Sequence, residues 1–282
     1  SPARRRRDRL ARRAILAGML IALVPLVLIV YYLLRKGLGS WSAEFFETDP
    51  TGNTFFKSSN IGGIKSAILG TIEMVALASA VAVPVGIGVA VWLVEYGRDS
   101  WFAHAVRFFV DVLTGVPSIV IGLFIYIVLV VGTGSSYAGY KGSFALALLM
   151  LPVVIRSAEV ILLLIPAGLR ESALALGAPR WRMILSIVLP TALPGMVTGV
   201  LLAVARAAGE TAPLLFTAAA TLKTNFDLGG FMNSLPVQIY SDVTSPTTAV
   251  VNRAWGAALT LVVMILLLNV IARLISRRSR LA

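Results

Sequence analysis

The sequence contains no cysteine and a single histidine, His104. The first absence excludes disulfides and thiolate-held metals, and leaves the redox character of the compartment open. One histidine cannot supply a familiar metal cluster, so His104, in the short polar turn that begins near Glu95, reads as a solvated loop residue. HExxH and GxSxG are also missing, which leaves an intramembrane hydrolase without sequence support. Acidic residues are scarce: 13 Asp and Glu stand against 25 Lys and Arg, a net charge of +12. In a soluble protein that excess would suggest nucleic acid, but its distribution says otherwise. Seven arginines crowd residues 1–13, and Arg273, Arg277, Arg278 and Arg280 follow the last apolar run. Basic residues flanking spans mark cytoplasmic ends, so both termini are expected inside and the number of spans even.

What is abundant is apolar. Hydrophobic residues make up 58% of the 282 and the mean hydropathy is +0.88, which argues for one transmembrane bundle rather than two soluble domains. Each span needs about 20 apolar residues, and six candidates appear: 14–34, 64–94, 106–131, 144–165, a run beginning near Ile187, and 254–275. The first follows an Arg-rich tail as a signal peptide would, yet it has the length of a full span and no convincing small-residue cleavage site, so it reads as a retained helix. The expected organisation is a basic tail at 1–13, a transmembrane domain at 14–276 with a polar loop at about 166–186, and a basic tail at 277–282.

Between the spans, Asp49-Pro50-Thr51-Gly52 marks a turn in an external loop, and the Gly- and Ser-rich GTGSSYAGYKGS after the third span is expected outside. Gly134, Gly139 and Lys141 come near a phosphate-cradling P-loop, but Tyr140 intrudes and no strand precedes it. ATP, if used, must therefore bind a partner. The fifth run carries Gly195, Gly199, Ala203 and Ala207 at four-residue spacing, a small-residue ridge that permits close helix packing. Its apolar character continues to about Leu222, too long for one straight span, and Pro213 is the expected kink or break. Residues 223–252 read as an external loop with a short interfacial helix around 231–240.

Ionisable side chains inside spans are costly and mark protein interiors or aqueous paths. Glu73, Asp111, Arg156, Glu159, Arg206 and Glu210 are such residues, with Arg107 nearer the cytoplasmic boundary. Arg206 and Glu210, four apart, can pair on one helix face close to the small-residue ridge, with Thr211 following; Arg156 and Glu159, three apart, allow a second pair. Asp111 lies in DVLTGVPS, where Thr114, Ser118 and backbone groups freed by Pro117 can face a polar path. The competing reading of each pair is a structural ion pair, of Glu73 an interfacial carboxylate, and of Asp111 a helix brace.

The chain is organised around 171–190, ESALALGAPRWRMILSIVLP, a polar island between long apolar runs. Ala173, Leu174, Ala175 and Leu176 favour a short helix, Gly177 suits its C-terminal cap, and Pro179 stops it. Arg170, Glu171, Arg180 and Arg182 are too charged for hydrocarbon, so the segment belongs at an aqueous face with Trp181 at the interface. An ordinary interfacial loop is the plainer alternative.

This run resembles the EAA loop of ABC-importer permeases: Glu171, Ala173, Gly177, Ile187, Leu189 and Pro190 stand at the pattern's positions, with Ser172 in place of the first alanine. ARAAGETAPLLFTA at 205–218, GVPSIVIGLF at 115–124 and AVPVGIGVAVWLVEY at 82–96 are similar to the signatures of the PstA family of phosphate-importer permeases. The resemblance implies an all-α, polytopic bundle of about six transmembrane helices with the type I ABC-importer permease fold. It implies that Glu171, Ser172, Ala173, Leu174, Ala175, Leu176 and Gly177 form a coupling helix, and that the chain has no catalytic site of its own. The implied partners are a related permease (PstC), two copies of an ATPase (PstB) that uses ATP and Mg, an extracytoplasmic phosphate-binding protein (PstS) and inorganic phosphate, in a bacterial cell membrane. A permease for sulfate or molybdate, a passive anion channel and an intramembrane enzyme are the remaining alternatives.

Overall fold

The computed structural model describes residues 2–51 and 61–278, with the backbone alone at 2–5, 9 and 275–278. Gly52 of the expected turn, residues 279–282 of the basic tail with Arg280, and the side chains of Arg277 and Arg278 lie outside the described residues. Twelve α-helices follow one another among those described: α1 (Pro2–Gly37), α2 (Ala43–Glu47), α3 (Lys65–Val91), α4 (Trp101–Gly115), α5 (Ser118–Tyr126), α6 (Gly139–Leu163), α7 (Ala167–Ala175), α8 (Arg180–Met183), α9 (Leu189–Ala208), α10 (Ala212–Thr217), α11 (Leu235–Val243) and α12 (Thr248–Arg278). Single π turns extend α3 (Trp92–Gly97) and α5 (Ile127–Val131) and join α8 to α9 (Ile184–Val188).

Among the described residues, five helices are long and apolar enough to cross a membrane: α1, α3 with its π turn, α6, the α8–α9 unit and α12. α4 and α5 pass the same test only as a pair. α4 and α5 meet at 102° across Val116 and Pro117, so the expected single span at 106–131 is two helices of different direction. Val116 and Pro117 both adopt extended backbone, as a proline and the residue before it favour. α4 starts at Trp101, so His104 lies on its first turn rather than in a turn between helices. Its ring nitrogen Nδ1 lies 2.9 Å from the Ser100 carbonyl.

A second departure lies at the end of α9, which stops at Ala208, with Gly209 as its C-cap; Pro213 does not break it. Proline suits the first turn of a helix, where its missing N–H would be unpaired anyway, so Pro213 starts α10 instead. The helix expected at 231–240 begins at Leu235, capped by the Ser234 hydroxyl on the amide of Val237, and buries Leu235, Val237 and Gln238.

α3, α6 and α9 form the centre. Gly86 of α3 lies against Val154 of α6, while Gly195 and Gly199 of α9 lie against Ile161 and Ser157 of α6. The small-residue ridge therefore does pack helix on helix, with buried Ala203 and Ala207 continuing it. The two largest apolar cores among the described residues lie along these helices. One, around Met74, Ala78, Leu146, Met150, Ala203 and Leu214, fills the middle and the α10 end. The other, around Ala90, Leu162, Ala173, Met183 and Val188, lies under α7.

The end opposite α7 is closed by polar contacts. Asp49 accepts from the Ser66 amide at 3.1 Å and from the Thr224 amide and hydroxyl at 2.7 and 2.6 Å. Asn233 donates to Gln238, Gln238 donates to Asp242, and Asp242 receives two bonds of 2.8 Å from the buried Arg253. Arg253 also reaches the Ile61 carbonyl, so α11 and α12 are tied to the start of α3.

Candidate functional site

The polar loop at 166–186 folds as its residues dictate. α7 starts at Ala167, four residues before Glu171, and ends at Ala175. Gly177 holds φ at +82°, the left-handed region glycine enters without cost, which lets its own amide and that of Ala178 return to the carbonyls of Leu174 and Ala173. Of the run Glu171–Gly177 only Ala173 is buried, against Met183 and Ile184. Leu174, Leu176 and Trp181 stand exposed, Leu176 by 90%. An apolar residue that open on a charged segment suits a protein partner better than water.

Arg206 and Glu210 meet, but not on one helix face. Arg206 sits in the last turn of α9, and Glu210 is two residues past its end. Arg206 Nε lies 3.6 Å from Glu210 Oε1, an ion pair too long for a hydrogen bond, with half the arginine side chain exposed. A guanidinium that open and that loosely held keeps donors for a passing anion. Thr211, at the head of α10, caps nothing with its hydroxyl.

Asp111, Arg156 and Glu159 form a different unit, joined by Arg107. Glu159 is buried and accepts from Arg107 Nε at 2.6 Å and from Arg156 Nη1 at 2.8 Å. Arg156 Nε donates to Asp111 Oδ1 at 2.9 Å, and Arg107 also holds the carbonyls of Arg98 and Leu93. Two cations and two anions thus compensate one another between α4, α6 and the end of α3, as buried charge requires. Asp111 remains largely exposed. Thr114 returns its hydroxyl to the Asp111 carbonyl, and Ser118 opens α5 beyond the break. Because Ser157 faces Gly199 with α6 and α9 antiparallel, Arg206 lies about six residues, or ~9 Å, along the axis from the level of Arg156. The structure does not merge the two groups.

Glu73 has one carboxylate oxygen buried without a hydrogen-bond partner. Lys141 is buried too, but its ammonium is spent on Ser135 Oγ at 2.7 Å and on the carbonyls of Ser135 and Ser136. A groove of about 870 Å³ between α3, α9 and α12 is lined by Ile68, Val75, Leu201, Val204 and Met264 and has no charged side chain, so it offers an anion nothing. No group of three metal-ligating side chains occurs among the described residues. Sequence reasoning missed the Arg253–Asp242 pair and the partners of Arg170. The only signal for either was an ionisable residue beside a span.

Residues 82–281 match the family described as "Binding-protein-dependent transport system inner membrane component". The chain belongs to that family. The permease is 42% identical over 278 residues to the "Phosphate transport system permease protein PstA" of Yersinia pestis, covering 98% of this chain and 92% of that one. It is 42% identical over 267 residues to the PstA of Mycobacterium leprae, covering 94% and 87%. Among solved structures it resembles the inward-facing MetNI methionine ABC transporter at 22% identity, with a TM-score of 0.63 over 75% of this chain and 93% of that one. It also resembles a bacterial ABC transporter that imports alginate at 19% identity, with a TM-score of 0.61 over 97% and 96%. The permease is thus an all-α, multi-pass membrane bundle with the type I ABC-importer fold.

Proposed function

We propose that this chain is the permease subunit of an ATP-driven importer of inorganic phosphate, forming half of the translocation pathway. The observation that carries the reading is the near full-length identity to permeases named for phosphate transport. The exposed docking helix α7 supports it: a segment that buries only Ala173 of Glu171–Gly177 and leaves Leu174 and Leu176 open is built to receive a motor subunit. The partners are a second permease of the PstC kind, two PstB ATPases and a PstS binding protein. ATP and Mg act on the ATPases, and this chain supplies no catalytic group. The setting is a bacterial cell membrane, with both termini cytoplasmic.

Arg206, Glu210 and Thr211 line the pathway, with Asp111, Thr114, Ser118, Arg156 and Glu159 towards the docking end. The guanidinium of Arg206 receives a phosphate oxygen through charge-assisted hydrogen bonds. Glu210 accepts the proton that phosphate still carries at neutral pH, and it repels sulfate, which has none to give. The test is uptake by proteoliposomes holding the whole complex. ATP-dependent uptake of labelled phosphate, with sulfate and molybdate failing to compete, is the expected result. Uptake of either competitor at the phosphate rate, or uptake without ATP, would refute the reading.

A further inference from the structure

Nine residues make a marginal helix, and α7 buries only Ala173, so on those terms a push from a partner would bend it aside rather than move the bundle. One side chain in its first turn changes this. Arg170 Nε donates to Glu95 Oε1 at 2.9 Å, Nη1 to the Ile165 carbonyl at 2.7 Å and Nη2 to the Leu162 carbonyl at 2.8 Å. The Leu162 carbonyl lies in the last turn of α6, where it also accepts from the Ile165 amide at 3.3 Å, and the Ile165 carbonyl lies two residues past the helix, at an end where a cation is favoured. Glu95 belongs to the π turn that ends α3, and its side chain is 3% exposed. A planar fork of donors can bridge three acceptors on two helices; a lysine ammonium on its flexible stem has no such fixed geometry. Beneath the fork, Ala90 and Val94 of α3, Leu162 and Ile165 at the end of α6, Ala173 of α7 and Met183 of α8 share one apolar core.

We propose that Arg170, anchored by Glu95, is the positioning residue that fuses the docking helix to the ends of α3 and α6, so that the three ends move as one rigid block. The proposal rests on the importer reading and adds how its coupling helix is held. Movement of an ATPase then enters the bundle as a tilt of α3 and α6 rather than as a bend of α7.

The experiment measures phosphate moved per ATP hydrolysed in proteoliposomes of the whole complex. Glu95→Gln leaves the exposed face of α7 untouched but strands a largely buried cation, and it should lower that ratio about tenfold or more. Because the chain has no cysteine, Glu95→Cys with Arg170→Cys can be joined by a short bifunctional thiol reagent in a cysteine-free complex. The open pair should be uncoupled, and cross-linking should return the ratio towards the unmodified value. A normal ratio in Glu95→Gln overturns the proposal. So does arrest of transport by the cross-link, which would mean that α7 has to slide on α3. If neither variant assembles even when cross-linked, the pair serves folding and the proposal fails. ATP-driven phosphate uptake by the unmodified complex, run in parallel, tests the importer reading separately.

Discussion

Gly199 of α9 lies so close to Ser157 of α6 that a carbon added to the glycine would overlap the serine's Cβ and Oγ. One turn away, the same carbon on Gly195 would meet only the branches of Ile161, at 2.8 and 2.9 Å. A branched side chain has freedom to give that a serine Cβ, fixed to the backbone, lacks. Gly199→Val is therefore expected to cost about 1–3 kcal/mol, read as a lower thermal midpoint of the purified permease. Gly195→Ala should cost less, and a larger loss at Gly195 than at Gly199 would contradict the packing described.

Arg206→Ala should lower phosphate uptake by about tenfold to a hundredfold, the scale of a lost hydrogen bond to a charged group, at unchanged assembly. Glu210→Gln should impair uptake less and loosen discrimination against sulfate. Uptake at the unmodified rate in both variants would make the pair structural.

Gly177 at φ +82° has open space around it, so strain rather than collision governs its replacement. Gly177→Ala should cost the end of the docking helix about 1–2 kcal/mol and weaken binding of the ATPase. Gly177→Asp adds charge to the docking surface and should weaken it further. Titration of the ATPase against the reconstituted permease ranks the two. Equal affinity for both variants and the unmodified chain would remove the segment from the interface.

Cysteines placed at Gly134 and Phe226, both exposed at the end away from α7, should react with an impermeant thiol reagent from outside the cell. A cysteine at Leu176 should react only after the membrane is opened. The reverse pattern would invert the orientation drawn from the basic termini.

Much of this fold was legible because the bilayer imposes simple demands. Length and composition mark α1, α3, α6 and α12, and the end of the short helix α7 announced itself through Gly177 and Pro179. Breaks were harder to place. The run around Pro117 is apolar on both sides, so composition could not separate one crossing from two helices at 102°. At the other break, Pro213 reads as a helix ender, and only the fold shows α9 ending at its C-cap Gly209 and Pro213 acting as a starter. The charged pairs divide by distance in sequence. Arg156 with Glu159 and Arg206 with Glu210 are local and visible as spacings. Arg107 with Glu159, 52 residues apart, and Arg170 with Glu95, 75 apart, exist only because α3, α4, α6 and α7 converge.

The π turn at Ile184–Val188 stands between the docking helix and α9. Such a turn is one residue longer than an α turn, so it stores a single inserted amino acid as a phase shift of about 100°. Deleting one residue there would not shorten the permease appreciably. With the α9 ridge locked on Ser157 and Ile161, and α7 tied to α3 and α6 through Arg170, it would instead rotate α8 by about that angle and draw Met183 out of the apolar core beneath α7. Ala173, the one side chain that α7 buries in its run Glu171–Gly177, would then lose the neighbour it packs on.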